Sequence, residues 1–337
     1  MSKFTLSRRC AFTFAAVALA ASSLSGCAGE NAAAGETLTL DYATYNPLSL
    51  VLKEKGWLED ALADDGISVE WIQSAGSNKA NEALRADAID VGSTAGSAAL
   101  LARSNGSPIK TIALYSQPEW SALVVGKDSP VSSVADLKGK QVAATKGTDP
   151  YFFLLQALQE AGLGEKDITL QNVQHADGRT ALANGSVDAW SGLDPIMASA
   201  EQDGARLLYR NLDFNTYGAL NAREDFLKDS PEVAQTVVDA YEKARQWAGS
   251  HPEETAQILA DVAGLDAQVA DTVISERSNL DVAAVPGEKF VQVLGNIGPV
   301  FVDSGDVKSQ AEVDAALDTL VDDQFARQAD ASQIAGE

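Results

Sequence analysis

Residues 83–98 read ALRADAIDVGSTAGSA, and residues 181–198 read ALANGSVDAWSGLDPIMA. Placing Ala83-Leu84 on Ala181-Leu182 puts Asp90 on Asp188 without a gap. Each copy reads as a helix end, a short apolar strand carrying one Asp, a small polar loop and the start of an apolar helix. That is half of an α/β unit, written once in each half of the chain. In an open parallel sheet the loops after the strand ends line the crevice where ligands bind. The repeat therefore predicts two similar lobes whose loops at 94–97 and 192–195 face each other across a cleft, a clamp for a small molecule. A length of 337 residues agrees with two domains.

Working outward, residues 37–44 alternate Leu38, Leu40 and Tyr42 and predict the first strand. Tyr45-Asn46-Pro47 turns into a helix over 48–55 that Gly56 ends. A second strand is expected over 67–73, then a helix capped by Ser77 or Asn78. Strand 89–93, helix 97–103 and strand 109–116 complete the first lobe. Gln117-Pro118-Glu119-Trp120 marks a crossing into a second lobe with strand 122–125, a short helix over 131–139 and strand 141–145. Thr148 or Asp149 before Pro150 is a helix start signal. Strand 168–173, a loop holding His175, helix 179–183 and strands 187–191 and 205–209 follow, and residues 215–221 return the chain across the hinge. The remaining third is helical. Ser230-Pro231 opens a helix with Val233, Val237, Tyr241, Ala244 and Ala248 on one face. His251 before Pro252 caps the next, and others follow over 266–278, 286–302 and 312–326.

The chain carries 48 acidic and 25 basic residues, a formal charge of −23, which argues against nucleic acid or anionic lipid headgroups as partners. Its only cysteines are Cys10 and Cys27, so the body has neither a disulfide nor a thiolate metal site. Two histidines, His175 and His251, leave little for a His-based metal site or triad. Neither a Walker-type phosphate loop nor a G-x-S-x-G elbow is present. No cofactor, no metal and no catalytic residue is expected. Asp90 and Asp188 read as local hydrogen-bonding groups. The sequence offers instead helix N-termini with small polar residues at 74–78, 94–97 and 147–149, whose oriented amides can hold an anion without Lys or Arg.

At the N-terminus Lys3, Arg8 and Arg9 precede an apolar segment over 10–21, and Leu24-Ser25-Gly26-Cys27 resembles the lipobox of bacterial lipoprotein signal peptides. The resemblance implies a signal peptide over 1–26, lipidation of Cys27, a tether over 27–36 and anchoring to the outer face of the cell membrane. Ser7-Arg8-Arg9 with Phe12 also resembles a twin-arginine export signal.

Four segments carry a wider resemblance: Lys127-Asp128-Ser129-Pro130 with the run from Val134 to Lys140, Lys146-Gly147-Thr148, the run from Gly185 to Trp190, and Asp194-Pro195. Through them the chain, from Thr37 to about Pro286, resembles the aliphatic-sulfonate-binding proteins of bacterial ABC importers. These belong to a group that also holds binders of taurine, nitrate and thiamine-pyrimidine precursors. The resemblance implies an α/β, two-domain periplasmic-binding-protein fold of type II with two hinge crossings. Domain I is expected over 37–118 and 218–337, with the C-terminal helices, and domain II over 119–217. It also implies a monomer that delivers its ligand to a permease with its ATPase and performs no catalysis.

Carried over by position, the ligand pocket would hold Asn46, Ser77, Thr94 and Ser97 from one domain, Gly147, Thr148, Trp190 and Asp194 from the other, and Tyr217 near the hinge. Amides and hydroxyls would hold a small anionic organic ligand, with Trp190 and Tyr217 flanking its tail. Asp194 would either receive a cationic amine, as in taurine, or cap the next helix. Leu193, Gly96 and Ala98 depart from the family pattern and would enlarge the pocket. An enzyme of the related pyrimidine-synthesising group relies on histidines and a metal that this chain lacks. A ligand-sensing lipoprotein is the other alternative.

Overall fold

A computed structural model describes residues 36–336. The expected signal peptide, Cys27 and all but the last residue of the tether lie outside the described residues. The first half runs β1 (Thr37–Tyr42), α1 (Pro47–Lys55), α2 (Trp57–Ala63), β2 (Ser68–Gln73), α3 (Ser77–Arg85), β3 (Val91–Ala95), α4 (Gly96–Ser104) and β4 (Ile109–Ser116). Next come β5 (Ser121–Val125), β6 (Gln141–Ala144), α5 (Asp149–Glu160), β7 (Thr169–Asn172), α6 (His175–Ala183), β8 (Ala189–Leu193), α7 (Ile196–Gln202), β9 (Arg206–Tyr209) and β10 (Gly218–Arg223). Helices α8 (Glu224–Asp229), α9 (Pro231–Ser250), α10 (Pro252–Ala263), α11 (Ala267–Thr272), α12 (Glu288–Asp303), α13 (Gln310–Leu320) and α14 (Gln324–Arg327) complete the chain.

Two five-stranded sheets form, in the orders β2-β1-β3-β10-β4 and β7-β6-β8-β5-β9. They share one plan. In each, three strands run parallel, and a fourth lies antiparallel between the last of these and the edge. The antiparallel strand, β10 or β5, is in both cases the one that arrives from the other sheet. The chain passes between sheets twice, once through 117–120 and once through a 3₁₀ turn, Leu212–Phe214, with the three residues after it. Both strands of the sequence repeat, β3 and β8, are central and buried throughout, as strands covered on both faces must be.

Asp90 and Asp188 occupy equivalent places, each one residue before its strand. The Asp90 carboxylate accepts the Thr39 amide of β1 at 2.9 Å, and the Asp188 carboxylate accepts the Gln141 amide of β6 at 2.9 Å. Their own amides return the bond to the Thr39 and Gln141 carbonyls. Each Asp thus closes the ladder at the start of a parallel pair, as the local reading expected.

Helix α1 has its N-cap at Asn46 and ends at Gly56, whose φ of 67° is left-handed, the backbone region where glycine carries no Cβ penalty. Helix α2 resumes at once, a continuation the sequence reading missed. The helix expected over 131–139 is only a 3₁₀ turn, Val134–Leu137, held by a capping box between Ser133 and Asp136. Its six exposed residues, at 132, 133, 135, 136, 138 and 139, leave too narrow an apolar stripe to bury a longer helix. His251 stands at the N-cap of α10 but makes no side-chain cap bond. Its ring stacks on Trp247 instead, 4.6 Å between centroids.

One hydrophobic cluster joins elements of both sheets. Leu100 of α4 and Leu114 of β4 pack with Leu123 and Val125 of β5, Phe152 of α5, Phe290 and Phe301 of α12 and Val313 of α13. Helix α9 buries its apolar stripe against α1 and α2 in a second cluster around Leu48, Trp57, Val237 and Tyr241.

The two aspartates differ in one respect. Asp90 also receives Arg223 at 2.8 Å in a half-buried setting, whereas Asp188 faces Lys140 at 3.6 Å in the open. Charge-assisted bonds away from water are worth more than exposed ones. Asp90→Ala is expected to cost ~2 kcal/mol in urea denaturation and Asp188→Ala below ~1 kcal/mol; equal costs would contradict this account.

Candidate functional site

The parallel strands of both sheets end in loops that start helices. β1 leads through Ala43 to Asn46 into α1, β2 through Ser74 to Gly76 into α3, and β3 directly into α4. From the other sheet β6 leads through Thr145 to Thr148 into α5, β7 into α6 and β8 through Asp194-Pro195 into α7. These loops meet between the sheets, and one carboxylate joins them. Asp149, the first residue of α5, is 1% exposed and accepts hydrogen bonds from Ser97 Oγ, Thr216 Oγ1 at 2.7 Å, the Thr216 amide at 2.7 Å and Trp120 Nε1 at 2.9 Å. Thr216 Oγ1 in turn accepts the Ser97 amide at 3.1 Å. Burial raises the Asp149 pKa, opposed only by these hydrogen bonds.

The expected ligand-contacting residues divide accordingly. Thr94 and Ser97 are fully buried between the sheets' loops. Thr94 Oγ1 donates to the Ala95 carbonyl and accepts Asn221 Nδ2, both at 2.8 Å. Ser77 Oγ accepts the Ala95 amide at 2.9 Å, and the Gly96 amide donates to the Tyr217 carbonyl. The donors at the start of α4 therefore have internal partners. Gly76, rather than Ser77 or Asn78, takes the N-cap of α3. Asn46 Oδ1 accepts the Ser49 amide, and its Nδ2 donates to Tyr241 Oη at 3.2 Å. Thr148 Oγ1 turns back to the Thr145 carbonyl at 2.6 Å. Gly147, at φ 78°, faces Asn78 and Leu101 of the other sheet's helices; a Cβ there would lie 3.7 Å from Asn78 Cβ.

Trp190 and Tyr217 are placed otherwise than expected. Trp190 belongs to the core under α6 and α7, with Val124, Leu182 and Met197. A Cβ on Gly178 would come within 2.6 Å of its ring. Tyr217 packs edge-on against Phe290, 5.7 Å between centroids, in the cluster shared by the two sheets. Strand β8 alternates sides, so Ser191 and Leu193 turn from Trp190 only by being out of phase with its neighbours; sequence spacing alone does not say which face is which.

A narrow recess of only about 10 Å³, room for a single water, is lined among others by Thr44, Tyr45, Ser116, Trp120, Asp194 and Arg277. Tyr45 and Trp120 meet edge to face, 6.2 Å apart, across the two sheets' loops. Arg277 comes from a π-helical turn, Val273–Arg277, that continues α11. Its guanidinium reaches Asp194 at 3.3 Å and Glu201 at 2.7 Å. Asp194 also accepts the Ala198 amide at 2.9 Å, the capping role considered for it. Burial lifts its pKa to about 6 against the pull of Arg277. Ser116 Oγ and Arg277 Nε are buried without partners.

Below this recess, Asp41 is 1% exposed and accepts the Ser93 amide at 2.7 Å and Ser93 Oγ at 2.9 Å. Burial pushes its pKa up to about 7. His175 opens α6 and so does not lie in a loop. It is 1% exposed, and its ring faces Gly76 of the other sheet's loop. Sequence reasoning weighed Asp149 only as part of a helix start and did not single out Asp41, Trp120, Thr216 or Arg277 as site residues. The available signals were Asp149 beside a capping Thr and Trp120 at the predicted crossing. Arg277 had none, since its partners lie 76 and 83 residues away.

Among the described residues no group of three or more His, Cys, Asp or Glu is placed to hold a metal.

Two measurements test this geometry. Asp149→Ala strands three side-chain donors and an amide and is expected to lower stability by ~3 kcal/mol, with Asp149→Asn costing less. Asp41 has a folded-state pKa above its unfolded value, so it favours the folded state at low pH and that contribution is lost as pH rises through about 7. The stability of the wild type relative to Asp41→Asn is therefore expected to grow on going from pH 8 to pH 4, by up to ~4 kcal/mol. A flat difference in urea titrations would contradict the assignment.

Comparison with known proteins agrees with this architecture. Residues 48–255 match the family model described as NMT1/THI5 like. The chain is 32% identical over 268 residues to a Bacillus subtilis protein named "Putative aliphatic sulfonates-binding protein", covering 77% of this chain and 80% of that one. It is 30% identical over 256 residues to an Escherichia coli protein of the same name, covering 75% and 80%. Among solved structures, the alkanesulfonate-binding protein SsuA from Xanthomonas axonopodis pv. citri, bound to MOPS, superposes with a TM-score of 0.77 at 24% identity. That match covers 87% of this chain and all of the other. The two-sheet plan, its two passages and these matches together make the chain a member of the NMT1/THI5-like family, in company with proteins named for binding aliphatic sulfonates.

Proposed function

We propose that the protein is an extracytoplasmic solute-binding lipoprotein of an ABC importer. It captures a small organic anion, foremost an aliphatic sulfonate, between the loops of its two sheets and delivers it to a permease with its ATPase. The observation that carries this reading is the 32% identity, over 80% of its length, to a relative named for aliphatic sulfonates. Two lobes, 37–118 with 218–337 and 119–217, would move about the passages at 117–120 and 212–217. Tyr45 and Trp120, one from each side, would close on the organic tail. A lipid on Cys27 would hold the protein at the membrane's outer face, reached by the general or the twin-arginine export route. Binding rather than catalysis fits a site whose carboxylates and hydroxyls are paired with one another instead of forming a nucleophile and base.

A zwitterionic sulfonate such as taurine is the second reading. Asp194 lines the recess, and its carboxylate, now paired with Arg277, would take a ligand's ammonium group in exchange.

A thermal-shift panel of alkanesulfonates, taurine, nitrate and pyrimidines tests the proposal. A ligand at 100 times its Kd stabilises by ~2.7 kcal/mol, which should raise Tm by roughly 4 °C for a chain of this size. Shifts produced by nitrate or a pyrimidine, with none from the sulfonates, would overturn it.

A further inference from the structure

The donors at the start of α4 are taken by Asp149, Ser77, Tyr217 and Thr216, so an incoming acid group must find others. Of the buried polar atoms without partners, three belong to residues at the starts of α3 and α6. Asn78 Oδ1, Gln174 Oε1 and His175 Nε2 are all buried and unpaired. Asn78 and His175 converge on Gly76: a Cβ there would lie 2.9 Å from Asn78 Oδ1 and 3.1 Å from His175 Nε2. Asn78 also faces Gly147, two residues before α5. Three helices of nine, twelve and nine residues, α3, α5 and α6, thus begin around one point where the two sheets' loops touch.

The hydrogen bonding of His175 fixes its tautomer. Thr145 Oγ1 donates to the Val173 carbonyl at 2.7 Å, so at its 3.2 Å contact with His175 Nδ1 it can only accept. Nδ1 carries the proton, and Nε2 presents a bare lone pair to the space beside Gly76. Asn78 and Gln174 carry amides, which can turn their NH₂ groups toward an anion as readily as their oxygens. Glycine at 76 lets Asn78 and His175 pack directly against the backbone, so an entering group must displace the Asn78 amide.

We propose that the acid group of the ligand docks between the starts of α3 and α6, against His175 Nε2, Asn78 and Gln174, and that His175 takes up a proton from solvent as it binds. This rests on the reading of the ligand as an organic anion. The step is balanced: a neutral imidazole, an anion and one solvent proton give an imidazolium–anion pair, with no bond broken in the ligand.

Without ligand the ring is neutral at physiological pH, since burial lowers its pKa to about 4. Charged groups on the elements around it do not offset this. On α6 these are Asp177 and Arg179, the latter paired with Asp203; on α3 Lys79 is paired with Glu82. Before α5 Lys146 is paired with Glu165, Asp149 is closed in its own network, and on α7 Glu201 is paired with Arg277. Burial is the one cause of the shift. A bound anion within contact of Nε2 would supply the counter-charge that the protein withholds.

The test uses the lipidated full chain in detergent and an alkanesulfonate that shifts its Tm. Calorimetry at pH 5.5, 6.5 and 7.5, in pairs of buffers with different ionisation enthalpies, counts protons taken up. Between the free and bound pKa of His175, affinity should fall up to tenfold per pH unit. The wild type should lose at least tenfold between pH 5.5 and 7.5 with net proton uptake, and His175→Gln should lose less than twofold. Because the chain has two histidines, ring NMR signals identify which one charges, and the His175 signal should move to its protonated position on saturation. Sulfonate binding with a flat pH profile, or a slope that persists in His175→Gln and so belongs to Asp41, Asp149 or Asp194, would overturn the proposal while leaving the proposed function intact. Failure of every sulfonate to bind at any pH would remove both.

Discussion

A carboxylate with no cation beside it ties the loops of the two sheets together. Asp149 lies in a buried place where a charge is costly, and it is held there by donors from α4, from the first passage between sheets and from the second. Because its partners come from three separate stretches of chain, the network exists only when both passages and the α4 start are in register. An unpaired buried donor costs about as much as an unpaired buried acceptor, so any opening between the sheets must either move this network as a unit or hydrate all of it. That condition makes the arrangement of the two sheets close to all-or-none, the behaviour a capture protein needs to distinguish an empty state from a loaded one.

The same carboxylate changes how the helix starts read in three dimensions compared with the sequence. Small polar residues at a helix start advertise free amides. At 94–97 the residue types are right, yet Ala95, Gly96 and Ser97 donate to Ser77, Tyr217 and Thr216. At 74–78 and 174–175 the surplus lies in side chains that have no partners. The difference between these helix starts depends on contacts between residues more than 100 positions apart, such as Ser97 with Thr216.

Much of the architecture was legible because it repeats. The alignment of Asp90 with Asp188 corresponds to two carboxylates that accept an amide of β1 and of β6, and the strands around them occupy matching places in matching sheets. Local signals with a single physical cause also held: Gly56 and Gly264 end helices in left-handed geometry, and Pro150 opens α5. Features set by tertiary packing were not legible. Trp190 and Tyr217 were assigned to a ligand from residue type and position, but a large ring is equally suited to a core, and Gly178 leaves the gap that Trp190 fills. Strand β10 was read only as a returning linker because its antiparallel place between β3 and β4 depends on where the second passage delivers it.

The strong acidity of the chain bears on the electrostatics of capture. A formal charge of −23 repels an anion at long range, and the candidate site adds Asp41, Asp149 and Asp194 while its one guanidinium, Arg277, is already paired. At physiological salt the distant charges are screened beyond ~8 Å, so the decisive terms are the groups within contact of the ligand. Three of these acids have raised pKa values because burial outweighs their hydrogen bonds, which means that each relaxes by taking a proton when a second negative charge approaches. Under the proposal, an anion bound here would draw protons toward the cleft, and His175 would take one because its Nε2 is buried without a partner.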